Sequence, residues 1–135
     1  MIAVDTSALI AMLAGETTAP ACRRIMEDEE IILISTGTMV EALIVAARRD
    51  LLHQMRELLA SPAIRSVDVN ARRARLAAEA YTRWGKGFHP AGLNYGDCFS
   101  YVTAREFDCP LLYVGNDFSQ TDLVSAIDAA RPTPM

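Results

Sequence analysis

A chain of 135 residues with 51% hydrophobic and 22% charged side chains has the composition of an ordinary globular domain, which excludes a disordered polypeptide. A net charge of −4 and a pI near 5.1 exclude a global basic field, so any nucleic-acid contact has to come from a local patch. Three cysteines without C-x-x-C spacing argue against a disulfide framework and a thiolate zinc site, and no uncharged run approaches the roughly 18 residues of a membrane span.

One domain over residues 1–135 is expected, large enough for a core of its own. Residues 1–15 are apolar but lack a basic leader and contain Asp5, so a signal peptide is not expected and the cytoplasm is. In chain order, residues 2–4 read as a buried strand that ends on Asp5. Residues 7–13 form a short helix and 20–29 a second, with Pro20 suited to a first turn. Residues 31–34 are the next strand, and 38–49 a helix that is apolar almost all round and therefore buried. The helix 51–60 gathers Leu51, Leu52, Met55, Leu58 and Leu59 on one face, which either covers the core or stays open to a partner helix.

Residues 64–69 make a third strand, followed by a helix over 70–84 with Ala71, Ala74, Ala77, Ala78 and Tyr81 at helical spacing. Residues 85–96 are the one long loop candidate, and loops of that length often carry function. A helix over 98–107, a strand over 111–114 and a short helix starting near Thr121 complete the pattern. The tail 131–135, with two prolines, adds an edge strand or frays. Strands alternating with helices predict an α/β fold: a mostly parallel central sheet with helices on both faces.

Four acids stand against apolar segments: Asp5, Glu41, Asp97 and Asp117. None has a basic neighbour within two positions. Each has a bland explanation. Asp5 and Asp97 sit where a helix N-cap would sit, Thr38 and Glu41 match a capping box, and Asn116-Asp117 suits a turn. Together they say more, because a parallel sheet binds ligands outside the carboxyl ends of its strands, and all four fall near that edge. Carboxylates beside a core are costly unless neutralised, and a hard divalent cation held by oxygen ligands neutralises them. Mg²⁺ or Mn²⁺ so held activates water and stabilises charge on phosphorus, so phosphodiester hydrolysis is the natural reaction.

The segments I-A-V-D-T-S-A-L at 2–9, S-T-G-T-M-V-E-A at 35–42, G-K-G-F-H-P-A-G-L-N-Y-G-D-C-F at 85–99 and L-L-Y-V-G-N-D-F at 111–118, continuing to T-D-L at 121–123, occur in this order over nearly the whole chain. With them the chain resembles the PIN-domain ribonucleases, and among them the VapC-type toxins of bacterial toxin–antitoxin pairs. D-T-S-A alone is weak; the third segment is highly specific. The resemblance implies a three-layer α/β/α sandwich and endonucleolytic cleavage of RNA leaving a 5′-phosphate. Asp5, Glu41 and Asp97 match the family's firmest metal-site acids and Asp117 the more variable fourth, all holding Mg²⁺ or Mn²⁺. Thr6 or Ser7 would hold a water or a carboxylate in place, and Asn116 and Asp122 would lie one layer out. A cognate antitoxin, an RNA substrate and a homodimer are implied likewise. Phe88 departs from the family, which often has a basic residue there.

Elsewhere the plainer readings are favoured. His89 stabilises its loop rather than contacting RNA phosphate, and His53 is a solvated helix residue. Arg48 and Arg49 complement a helix dipole. Arg72, Arg73 and Arg75 form an exposed helix face before they form an RNA grip, and Tyr81 and Trp84 pack before they stack a base. A receiver domain needs paired acids after its first strand and a lysine near its last, whereas Asp5 is unpaired and Lys86 lies elsewhere. An aspartate-nucleophile phosphatase needs D-x-D, and Ser7 occupies the second position. The closest alternatives are a PIN-type nuclease acting on DNA and a catalytically idle module that binds antitoxin and operator.

Overall fold

Residues 2–4 send alternate side chains into two different cores, and that alternation organises the molecule. The computed structural model describes residues 1–130. It places β1 (Ile2–Val4) inside a four-stranded parallel sheet of order β3-β2-β1-β4, with β2 at Ile32–Ser35, β3 at Ile64–Val67 and β4 at Leu111–Leu112. The helices are α1 (Thr6–Leu13), α2 (Ala19–Glu27), α3 (Thr36–Arg48), α4 (Leu52–Leu59), α5 (Ala71–Trp84), α6 (Tyr95–Glu106) and α7 (Ala126–Ala130).

Ile2, Val4, Ile32, Ile34 and Leu112 meet Leu9 and Met12 of α1, Ala42 of α3, Met55 of α4 and Ala126 of α7. Ala3, Leu33 and Leu111 meet Ala77 and Ala80 of α5 and Cys98, Tyr101 and Val102 of α6. A sheet covered on both faces gives strands that read as unbroken apolar runs rather than alternating ones. The expected α/β/α sandwich therefore forms. Leu51, Leu58 and Leu59 pack on the first core beside Met55, so that face of α4 closes the core.

Register aligns one edge of the sheet. Ala3 pairs with Leu33 on one side and Leu111 on the other, so the carboxyl ends of β1, β2 and β4 finish together. The chain moves outward from β1 through β2 to β3, then returns to the opposite side of β1. That reversal between β1 and β4 is a topological switch point, where open parallel sheets leave a crevice.

The structure corrects several boundaries. β3 ends at Val67 rather than residue 69, as an edge strand whose Arg65 and Ser66 face solvent. β4 is two residues long because β1 stops at Val4: Asp5 N–H makes the last bond, to Leu112 O, and Val114 N–H turns instead to Ser7 Oγ at 3.1 Å. α3 is not buried all round, since Val40 is 58% and Ile44 50% exposed. Its apolar pattern marks a surface that neither core covers. No helix starts at Thr121, whose hydroxyl closes a turn onto Phe118 O; the chain forms a bridge from Leu111 to Ser125 before α7 begins. The tail 131–135, expected to add a strand or fray, lies outside the described residues.

Candidate active site

Asp5 is where β1 becomes α1. Its extended backbone (φ −99°, ψ 156°) makes it the N-cap, and its Oδ2 accepts from Ser7 N–H at 3.1 Å and Ser7 Oγ at 2.7 Å. The capping expectation for Asp5 is met, and the cap leaves its Oδ1 free for a second partner. Its Oδ1 accepts from Ser100 Oγ of α6 at 2.5 Å, and Asp5 is 4% exposed.

Glu41 is not part of a capping box. α3 starts earlier than expected, capped by Ser35, whose Oγ accepts from Gly37 N–H at 3.1 Å, so Thr38 and Glu41 lie inside the helix. Glu41 is free to reach across to α6, where its carboxylate rests against Gly96. Asp97 is not an N-cap either: Asn94 caps α6, and Asp97 closes the capping box by accepting from Asn94 N–H at 3.0 Å. Asp117 is exposed, in a turn that Phe118 pins by burying its ring against Tyr113 at 5.1 Å.

The electrostatics place the four acids in one field. Burial raises Asp97 to about 7, opposed by the Asn94 N–H and reinforced by the charges of Asp5, Asp117 and Glu41. Burial also raises Glu41, against the lowering effect of the Thr6 hydroxyl, and Asp5 and Asp117 push it the same way. Among the described residues, the arginines and the lysine make no ion pair with any of the four. Among the described residues, no three of these acids close to metal-ligand distance. The donor set nonetheless fits a hard divalent cation: oxygen ligands only, with a surplus of negative charge and, among the described residues, no cation paired with it.

The supporting residues divide. Ser7 bonds Asp5 directly, whereas Thr6 Oγ1 donates to Thr38 O at 3.5 Å and its hydroxyl lowers the pKa of the Glu41 carboxyl. Asn116 uses its carbonyl to close the Asp117 turn, accepting from Ser119 N–H at 3.1 Å. Asp122 goes elsewhere: its Oδ1 accepts from Tyr101 Oη at 2.7 Å, and Arg105 and Arg83 lie 3.7 and 4.0 Å from its Oδ2. Sequence reasoning missed Ser100 and Thr38, which are buried beneath Asp5 with their hydroxyls 3.2 Å apart. A serine inside an otherwise apolar helical stretch was the only signal.

The surroundings settle most of the remaining alternatives. Arg73 makes a two-pronged contact to Glu106, joined by Arg72, while Arg75 stays outside this network. Trp84 Nε1 donates to Tyr101 Oη at 2.9 Å, and the His89 ring lies 4.7 Å from Trp84 with its Nδ1 accepting from Ala91 N–H, so both are packing residues. Tyr81, Phe88, Tyr95 and Phe99 line an apolar groove of about 720 Å³ beside the first turn of α6. All three thiols are free, and burial raises each of them.

Residues 2–124 match the model of the PIN domain. The chain is 43% identical to VapC ribonuclease Mb0640 of Mycobacterium bovis over 90% of its own length and 95% of that protein's. This protein belongs to the PIN-domain family, in its VapC branch. Solved structures share the fold of this PIN domain. The Mycobacterium tuberculosis VapC20 toxin, described as cleaving the sarcin–ricin loop, superposes with a TM-score of 0.76 at 20% identity, over 92% of this chain and 97% of that one. A toxin–antitoxin complex from Klebsiella pneumoniae gives 0.69 at 17% identity, over 90% and 93%. Among the described residues no helix of this PIN domain is long and apolar enough to cross a membrane.

Proposed function

We propose that this VapC-family protein is an endoribonuclease and the toxin of a toxin–antitoxin pair, with its activity carried by residues 1–135 as one domain. Asp5, Glu41, Asp97 and Asp117 hold Mg²⁺ or Mn²⁺ at the switch point, with Thr6 and Ser7 supporting them. What supports this reading is four acids within electrostatic reach of one another and, among the described residues, without a protein counter-cation, with Asp97 and Glu41 raised chiefly by burial and further by the others' charge. Structural capping alone explains Asp5 and Asp97 but gives Glu41 no reason to be where it is.

When bound, the cation supplies Lewis-acid charge to phosphate oxygens and lowers the pKa of water. The chain's own residues do the rest. Ser7 and Ser100 fix both oxygens of Asp5, the capping box fixes Asp97, and the hydroxyl of Thr6 favours the charged form of Glu41.

The partner is an antitoxin, as in the Klebsiella pneumoniae complex, and the compartment is the cytoplasm. A homodimer is supported by the exposed apolar face of α3, Val40 and Ile44, which none of the other described residues covers. The test is a side-by-side digestion of single-stranded RNA and DNA with Mg²⁺, with Mn²⁺ and with EDTA, using wild type and Asp5→Asn. RNA cleavage that requires the cation and disappears in the variant is expected. Cleavage of DNA alone, or of neither, overturns the reading.

A further inference from the structure

Ser100 occupies the middle of α6 at 1% exposure, where alanine is the better helix former and leaves no polar atom to satisfy. Its surroundings explain why a hydroxyl is there. Ser100 Oγ lies 2.5 Å from Asp5 Oδ1 and 3.2 Å from Thr38 Oγ1. A serine has one proton to give, and a carboxylate has none. The proton of Ser100 therefore goes to Asp5, and Thr38 must donate to Ser100. The chain of bonds has one direction: Thr38 of α3 to Ser100 of α6 to Asp5 at the end of β1.

Ser7 completes the arrangement from the opposite side. Its hydroxyl donates to Asp5 Oδ2 and accepts from Val114 N–H beyond β4. Donors from two helices thus hold the two oxygens of Asp5, and the buried donor is itself held by a third helix. No such double hold acts on Asp117, which lies on an exposed turn.

We propose that Ser100, oriented by Thr38, is the positioning residue that fixes the Asp5 carboxylate for cation binding. It acts through Asp5 and does not touch substrate. This rests on the reading of the four acids as a cation site, and the test separates the two. Orienting partners of metal ligands typically contribute 10–100-fold to affinity or activity.

The experiment measures the thermal-shift midpoint against Mn²⁺ concentration, together with kcat and KM on a single-stranded RNA, for wild type, Ser100→Ala, Thr38→Val and Thr38→Ser. For Ser100→Ala, half-saturating Mn²⁺ rises about 10-fold or more and kcat falls about 10–100-fold, while KM for RNA at saturating Mn²⁺ stays the same. Thr38→Val, which keeps the volume and removes the hydroxyl, moves both readouts the same way by less. Thr38→Ser restores them. A residue that merely packs would alter the cation-free melting temperature and leave the Mn²⁺ midpoint alone. If wild type responds to Mn²⁺ and Ser100→Ala shares its midpoint and kcat, the positioning role is wrong. If Ser100→Ala does not fold, Thr38→Val decides by the same two readouts. A wild type indifferent to Mn²⁺ removes the cation site, and the positioning role with it.

Discussion

Glu41 and Gly96 touch in a way that only glycine permits. A Cβ built on Gly96 would collide with Glu41 Oε2 and sit 2.8 Å from its Cδ. The obstacle is the far end of a flexible side chain, so the acid gives way and the backbone stays. Gly96→Ala is therefore expected to leave stability within about 1 kcal/mol, alanine being the better helix former. RNA cleavage should fall roughly 100-fold, the scale of a misplaced catalytic group. Melting temperature and cleavage rate measured on one preparation check this, and a variant cleaving at the wild-type rate would show that the position of Glu41 is immaterial.

The pH dependence of stability follows from Asp97. Its folded value of about 7 lies above that of an unfolded aspartate, so the folded state binds its proton more tightly. Stability from this group is fully present below about pH 4 and is lost as pH rises through about 7. Glu41, raised as well, acts in the same direction. In EDTA, the melting temperature should be higher near pH 5 than near pH 8, and Mn²⁺ should reduce the difference. Asp97→Asn keeps an oxygen for the capping box while removing the charge. It should stabilise the fold at pH 8 in EDTA by on the order of 2 kcal/mol, read as a higher melting temperature, and abolish cleavage. An Asp97→Asn protein no more stable than wild type at pH 8 would contradict the placement of these charges.

Much of this arrangement was legible in the sequence because burial on both faces of a parallel sheet leaves unbroken apolar runs, and acids at their ends are conspicuous. Asp5 could be placed from Ile2-Ala3-Val4 alone. What could not be read is whatever depends on contact between distant segments. Thr38 and Glu41 have capping-box spacing, yet Ser35 captures the helix start, and no local pattern decides between two caps three residues apart. Val40 and Ile44 look like core because hydrophobicity does not say which surface will cover it. Ser100 and Asp5 are separated by 95 positions, and their hydrogen bond exists only once α6 packs on the end of β1.

Asp122 separates a resemblance from a position. The family pattern suggested an outer layer of the cation site, whereas its carboxylate is bound to Tyr101 Oη and lies beside Arg83 and Arg105. Its loss leaves a buried phenol without an acceptor, a cost of about 1–3 kcal/mol. Asp122→Ala should lower stability on that scale while cleavage per folded molecule, at a temperature well below the transition, stays near wild type. A Mn²⁺ midpoint shifted by this variant would return Asp122 to the cation site.

Asp117 should be the most forgiving of the four acids. Asp5 and Asp97 are 4% and 6% exposed, Asp5 held by Ser7 and by Ser100 of α6 and Asp97 by the N–H of Asn94, the cap of its own helix. Asp117 stands on an exposed turn anchored by Phe118, not by its own side chain. A carboxylate that must be ordered on binding loses side-chain entropy to do so, and in water its charge is screened, so it contributes less to holding a cation than a buried one. Its charge still reaches Asp97 and Glu41. Asp117→Asn should therefore weaken cation binding and slow cleavage, leaving activity that higher Mn²⁺ partly restores. Asp5→Asn and Asp97→Asn should show no such rescue. Parallel Mn²⁺ titrations of the three variants on one RNA decide the matter, and equal, unrescued loss in all three would place Asp117 on the same footing as the buried pair.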